Sequence, residues 1–409
     1  MTGATCPTQP DHAEAAASPD TRSTGTQPRL RTIHLVVLSV GTFTLGIDGF
    51  VLAGLLPQVS ASLHVSVSTA GQLTTLFALV YALGSPVIAA IAGNWDRRLL
   101  LTIGMSVFMA GITVQAIGAS FAVVAAGRVL AALGAAGYQA TAYSTAGILS
   151  DDQHRARSLA IVAGGSSVAI VAGLPFGIFI GQSFGWRTAM WVLLAFAGLS
   201  TLAIALLPAA YAPRLNLRQR GQALGDRRVL GILAGTVTVL TPGFLILAYL
   251  PAILHTKGIW VVIATLVYGA GQVTGTSLVP RLIKRRSART ALQVGAIGVT
   301  AATAVLTATR TLHPAAIVTI AALGLAVGLT VVPQQHRIFA TVPTLASVAV
   351  GLNGSAIYIG SALGAAIGGL ALAAGGPAAT TITAAAIGLI AITIATLVRP
   401  ATTPSTKTR

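Results

Sequence analysis

Acids are scarce in this chain. Only eight of its 409 residues are Asp or Glu, against 25 Lys and Arg, and charged residues of both signs amount to 8%. Soluble domains carry about 25%, so this composition, with 54% hydrophobic residues, excludes a water-soluble globular fold and implies a polytopic membrane protein. Cysteine is rarer still, and the single Cys6 excludes an internal disulfide. Aromatics at 5% leave little for a cage around large planar molecules. The seven histidines (12, 34, 64, 154, 255, 313 and 336) fall in tails, loops or helix ends, without metal-ligand spacing. There is no Gly-rich Lys-Ser/Thr loop for ATP. No His–Asp pair accompanies the Ser and Thr of the apolar stretches, so no catalytic triad is expected. The chain is expected not to be an enzyme, and to draw its energy from an ion or substrate gradient, with no cofactor.

What is present is a series of apolar runs. Taking runs of about 20 residues as spans gives twelve: 32–56, 70–93, 99–119, 121–149, 159–183, 188–208, 229–254, 259–280, 290–309, 315–335, 345–373 and 378–398. The net charge of +17 suggests nucleic acid until the charges are located. All the Lys and Arg except Arg128, Arg187, Lys257 and Arg310 fall in the tails or the even-numbered loops. The positive-inside rule then puts both termini in the cytoplasm. The basicity is topological, and a nucleic-acid partner is not expected. The Thr-, Pro- and Ser-rich stretch 1–31 has no apolar core of its own. It is expected to be a disordered cytoplasmic tail rather than a cleaved signal. A second cytoplasmic tail is expected over 399–409.

The chain also repeats itself. "GTFTLGIDGFVLAGLLP" (Gly41 to Pro57) and "GTVTVLTPGFLILAYLP" (Gly235 to Pro251) share seven identities in seventeen positions at an offset of 194. At an offset of 187, Tyr81, Gly84 and Arg98 match Tyr268, Gly271 and Arg285, and Gly173, Gly177 and Gly181 match Gly360, Gly364 and Gly368. Three collinear matches imply two six-helix halves in one orientation, 32–208 and 229–398, joined by a cytoplasmic linker at 209–228. Parallel six-span repeats are a transporter architecture, with the substrate site at the midplane between them.

Four motifs carry a resemblance. They are "GIDGFVLAGLLP" in the first span, "GRVLAALGAAGYQA" in the fourth, "GLPFGIFIGQSFGWR" in the fifth, and "GNWDRRLLL" after the second. Together they resemble the twelve-helix drug:proton antiporter branch of the major facilitator superfamily, close to arabinose-efflux-like and chloramphenicol-exporter-like permeases. The resemblance covers about Thr32 to Arg399. It implies an all-α polytopic fold of two pseudo-symmetric halves and a proton-coupled efflux transporter working by alternating access. Its setting would be a bacterial cytoplasmic membrane, its partners protons, lipid and a small-molecule substrate such as a drug, antibiotic or metabolite, and its functional unit a monomer. Asp48 stands at the family's proton-linked acid. Arg128 and Gly134 match its Arg-then-Gly motif. Gly173, Pro175, Gly177 and Gly181 match its antiporter motif. Gly93, Asp96, Arg97 and Arg98 form a degenerate version of its cytoplasmic gate loop, and "PRLIKRRSAR" in the second half has no acid at all.

The residues themselves agree on one centre. Asp48 is the only acid inside a span, and Arg128 the only base. An intramembrane acid costs at least a few kcal/mol and marks a proton relay by default. Both residues lie about eight or nine positions from the outer ends of antiparallel helices, ~12–13 Å deep at 1.5 Å per residue, so they can pair. A static structural ion pair is the other reading. The two glycine rows each occupy one helix face and read as packing surfaces. Candidate substrate contacts are Gln139, Tyr143, Asn353, Tyr358, Gln72 and Gln272, each equally a candidate for an interhelical hydrogen bond. Two alternatives stay open: a facilitator or uptake porter for a sugar, nucleoside or amino-acid-like metabolite, and a non-transporting receptor.

Overall fold

A computed structural model describes residues 32–92, 95–151, 153–208, 225–256, 258–342 and 346–397. The expected tails, Gly93 and most of the expected linker lie outside the described residues. Among those described, the regular elements are all helical. The first half comprises α1 (Thr32–Gly54), α2 (Leu56–Leu63), α3 (Val67–Ile91), α4 (Arg97–Ile117), α5 (Phe121–Ile148), α6 (Arg155–Val168), α7 (Leu174–Phe184) and α8 (Trp186–Ile204). The second comprises α9 (Arg227–Ala248), α10 (Leu250–Ile253), α11 (Ile259–Arg285), α12 (Ala288–Thr309), α13 (His313–Thr341) and the run Ala346–Leu397. That run is two helices, α14 and α15, because Gly375 (φ −149°, ψ 17°) and Gly376 (φ 67°, ψ −161°) leave helical geometry between them. With α6 and α7 forming one crossing, the described helices make twelve passes, six in each half.

Two expectations need correction. The first and seventh spans do not run straight to 56 and 254. Each turns one residue before a Leu-Pro pair, at Leu55 (φ −113°, ψ 7°) and Tyr249 (φ −115°, ψ 20°). Pro57 and Pro251 have no N–H and their rings clash with the preceding turn, so the chain restarts as short helices α2 and α10. The repeated Leu-Pro therefore encodes the same break twice. In the fifth span, Pro175 likewise cannot donate back along the helix. The residues before it widen into a π turn, Ala169–Gly173, closed by the N–H of Leu174 on the carbonyl of Ala169.

Glycines let the helices meet backbone to backbone. A Cβ on Gly134 of α5 would strike the backbone N of Phe108 on α4, and one on Gly111 would strike the backbone N of Ala131. The glycine row of the fifth span packs on α1. Cβ atoms on Gly173 and Gly177 would fall 2.5 Å from Ile47 and 2.8 Å from Val51, and one on Gly181 would strike Leu55. The matching row in α14 lies on α9: Cβ atoms on Gly360 and Gly364 would fall 3.0 Å from the Val237 carbonyl and 2.8 Å from the Thr241 carbonyl.

The halves touch along α3 with α14, α11 with the π turn and α7, and α1 with α9. Phe50 and Phe244, equivalent at the repeat offset, stack on each other across the seam with centroids 5.6 Å apart and rings within 5°. Two residues related by the repeat meet only where the pseudo-twofold axis passes. At the end of the bundle away from the termini the halves are tied by Ser68 Oγ donating to the Gly369 carbonyl at 2.6 Å, and a cavity of about 270 Å³ between Pro57 and Gln58 of one half and Pro251 and Thr256 of the other opens at the rim. Toward the terminus-bearing end Gly147 and Gly164 of one half and Gly351 and Gly354 of the other have open space where a Cβ would stand.

These contacts separate two classes of glycine. Gly134→Ala and Gly111→Ala force backbones apart and are expected to lose about 1–3 kcal/mol, as overpacking does. Gly351→Ala meets nothing and gains helix propensity, so it should hold or raise stability. Thermal midpoints of the three purified variants in detergent check the ordering.

Candidate functional site

The centre of the first half is a buried ion pair. Arg128 NH1 lies 3.0 Å from Asp48 Oδ1, and both side chains are 0% exposed. The same NH1 donates to the Asp48 carbonyl at 3.2 Å, and Nε reaches the Leu73 carbonyl of α3 at 3.4 Å. The guanidinium stands over the Phe77 ring, 4.3 Å from its centroid. α1, α3 and α5 thus converge on one charge pair. The enclosure is incomplete in hydrogen bonds, because Asp48 Oδ2 and Arg128 NH2 are buried without partners among the described residues.

The glycine row of the fifth span lies to one side of this acid, since Ile47 and Val51, about a quarter-turn of α1 from Asp48, are the residues that Gly173 and Gly177 pack against. On the seam side the π turn meets the other half. A Cβ on Gly269 of α11 would fall 2.8 Å from the Ile170 carbonyl and from Val171 Cα.

Of the expected cavity residues, Gln139 and Tyr143 of α5 come together. Gln139 Nε2 donates to Ser166 Oγ at 3.4 Å, and the Tyr143 hydroxyl lies near both. Tyr358 of α14 stacks on Tyr81 of α3, with centroids 3.7 Å apart and rings at 25°, and Tyr143 stands near both. This uncharged group spans the seam one aromatic step from the ion pair, because Tyr81 also stacks on Phe77 at 6.3 Å. The other three candidates sit elsewhere. Asn353 is fully buried and accepts from Thr236 Oγ1 of α9 at 2.7 Å. Gln72 donates to the Ser68 carbonyl at 3.5 Å at the tied end of the seam. Gln272 lies where α11 crosses α13, its carbonyl against Gly328.

In the loop expected to act as a gate, Asp96 Oδ1 accepts from the Arg98 N–H at 2.9 Å and caps α4. Arg97 is 7% exposed while Arg98 faces outward. Phe77, Tyr81 and Ser166 are functional candidates that the sequence does not single out. A Phe and a Tyr one turn apart on α3 look like ordinary core residues, and only the crossing with α5 and α14 gives them these partners. The tenth apolar run ends at 335, which leaves Arg337 in a loop. The structure instead extends α13 to Thr341 and buries Arg337 to 4% exposure.

The sequence model of the Major Facilitator Superfamily matches residues 38–347. A chloramphenicol resistance protein of Streptomyces lividans is 35% identical over 271 residues, covering 63% of this chain and 68% of that protein. An uncharacterized MFS-type transporter of Bacillus subtilis (strain 168), YtbD, is 29% identical over 347 residues, 82% of this chain and 87% of its own. Among solved structures, a point mutant of the nucleoside transporter NupG superposes with a TM-score of 0.74 over 90% of this chain and 99% of its own, at 10% identity. A bacterial homolog of the human lysosomal transporter Spinster gives 0.68 over 90% and 96%, at 18% identity. Matched along most of its length and folded as two six-helix halves, the chain belongs to the Major Facilitator Superfamily and is a multi-pass membrane transporter, not an enzyme.

Proposed function

We propose that this transporter is a proton-coupled exporter in which Asp48 carries the coupling proton and Arg128 is its switch partner. The observation that carries the reading is the Asp48–Arg128 pair itself: fully enclosed, bonded through one oxygen and one nitrogen, with the second of each unpartnered among the described residues. A paired carboxylate keeps its charge by virtue of the guanidinium, and a separated one at that depth takes up a proton. Any rocking of α5 against α1 changes that distance. The antiporter-motif glycines on the adjacent face of α1 supply the surface on which the helix moves.

With both termini in the cytoplasm, the end of the seam tied by Ser68 and Gly369 faces outside, and the end that carries Gly147 and Gly351 faces in. Substrate then enters from the cytoplasm and meets Gln139, Tyr143 and Ser166 from one half and Tyr358 from the other. These groups are uncharged, and the one acid of the membrane is held by Arg128, so the site suits a neutral, ring-bearing solute with hydrogen-bonding groups. The resistance function named for the Streptomyces relative makes chloramphenicol the first compound to try. A proton returning with the membrane potential supplies about 2.3 kcal/mol per 100 mV, enough for roughly a 50-fold gradient of a neutral substrate.

Everted vesicles with an imposed proton gradient test this. The wild type is expected to accumulate chloramphenicol, and Asp48→Asn to let the ratio fall toward unity while binding persists. Gradient-driven transport by the mutant at the wild-type level rejects Asp48 as the proton carrier, and equilibration indifferent to the gradient in the wild type makes the protein a facilitator. Permanent cations such as tetraphenylphosphonium are expected neither to be transported nor to compete with chloramphenicol, a result read from the same vesicles.

A further inference from the structure

The cavity at the end of the seam away from the termini lies apart from the ion pair and from the group around Tyr143 and Tyr358. It holds about 270 Å³, just under the ~300 Å³ at which small-molecule pockets usually begin. Its walls come from both halves: Pro57 and Gln58 of α2 and Gln182 of α7 from one, Pro251 of α10 and Thr256 beyond it from the other. Pro57 and Pro251 are partners in the repeat. Two such residues border one space only where the pseudo-twofold axis passes, as it does between Phe50 and Phe244. Each proline stands seven residues beyond its phenylalanine, or ~10 Å further along the chain at 1.5 Å per residue. The cavity and the Phe50–Phe244 stack are therefore in line, with the stack on the inner side of the cavity and the Tyr143 group deeper still.

The lining carries no charged side chain among the described residues, so an ion entering it would leave its charge uncompensated. What the lining offers is acceptors. Gln58 Oε1 and Gln182 Oε1 are each enclosed without a donor among the described residues, and an acceptor left so is a cost that an incoming N–H or O–H removes. Neither oxygen gives up a hydrogen bond by turning into the cavity. We propose that this cavity is a second solute site, held by Gln58 and Gln182, where a small neutral solute with N–H or O–H donors rests after passing the Phe50–Phe244 stack. The direction of travel rests on the exporter reading, and occupancy of the cavity does not.

Chloramphenicol, with two hydroxyls and an amide N–H, is the probe. The full chain carries Cys6→Ser, which removes its one native thiol, and Ala61→Cys, which puts a reporter thiol in the cavity wall. In nanodiscs, the rate of modification by a methanethiosulfonate reagent is read with and without the probe. Chloramphenicol is expected to slow it about fivefold once four-fifths of the sites are filled. Gln58→Leu/Gln182→Leu should abolish the protection, and Gln139→Ala, at the inner group, should leave it intact. Should the double variant fail to fold, each single change decides, and each should at least halve the protection. No slowing at Ala61→Cys overturns the proposal, and leaves the exporter reading standing wherever everted vesicles show gradient-driven transport. Slowing that survives loss of the amides also overturns it, as does slowing that vanishes with Gln139→Ala, which assigns the effect to the inner group. Protection that depends on both amides sustains the site even if Asp48→Asn still couples and the proton reading fails.

Discussion

A carboxylate and a guanidinium that touch neither water nor lipid must be enclosed by protein on every side, and much of the first half is shaped by that requirement. Separating the pair deep in a membrane protein leaves an uncompensated charge, a cost of about 3–5 kcal/mol when one partner is removed. α3 therefore passes close enough to lend the Leu73 carbonyl and the Phe77 ring to Arg128. α5 is held against α4 through Gly134 and Gly111, where no Cβ fits. α1 is backed by the glycine row of the fifth span on one side and tied to α6 on another, through Ser39 and Thr42 hydroxyls donating to the Ile161 and Val162 carbonyls at 2.9 and 2.8 Å. Close glycine packing and hydroxyl-to-carbonyl bonds are what remains for holding helices together when lipid removes the hydrophobic drive.

The duplicated frame explains why the pair exists only once. Helices α1 and α9 share the Gly-Phe that meets at the pseudo-twofold axis and the Leu-Pro that ends both. At the position of Asp48, α9 has Pro242, buried within an unbroken helix. The frame therefore stands without a carboxylate there. The second half fills its interior instead with neutral polar contacts, Thr236 with Asn353 and Gln334 with the Ile232 carbonyl. Its charges are gathered at the membrane face.

The legible parts of this protein are those that depend on local pattern. Twelve apolar runs, the break between the last two, and the depth of Asp48 and Arg128 follow from spacing along single helices, and the pair forms at 3.0 Å where equal depth allows it. Features made by two helices crossing are not legible. Tyr81 reads as one of a set of repeat matches, and Tyr358 as a cavity candidate, with nothing in either segment to say that their rings stack. The turn at Leu55 is hidden because Leu-Pro inside an apolar run looks like more span. Arg337 reads as a loop residue because a lone arginine near the end of an apolar run ordinarily snorkels out. Here α13 continues past it and Gln334 receives it, so a tertiary contact overrides the single-helix rule.

The asymmetry of the seam follows from the same geometry. At the tied end its contacts are many and small: a serine hydroxyl on a carbonyl, the Phe50–Phe244 stack, and Tyr249, whose hydroxyl bonds the Ala365 carbonyl while its ring fills the space beside Gly71 and Gly369. No ion pair crosses there among the described residues. Each such contact is worth on the order of 1 kcal/mol, so opening that end breaks several weak interactions in parallel rather than one strong one. That suits a bundle which must alternate, because a strong latch would trap one state. The Tyr81–Tyr358 stack lies on the terminus-bearing side of the ion pair, since α3 runs from Ser68 past Leu73 and Phe77 to Tyr81. α3, which carries Tyr81, also supplies Leu73 and Phe77 to Arg128. A shift of α3 that parts the tyrosines withdraws two of the groups that hold the guanidinium in place. Closure of the seam and enclosure of the charge pair are thus two consequences of the position of one helix.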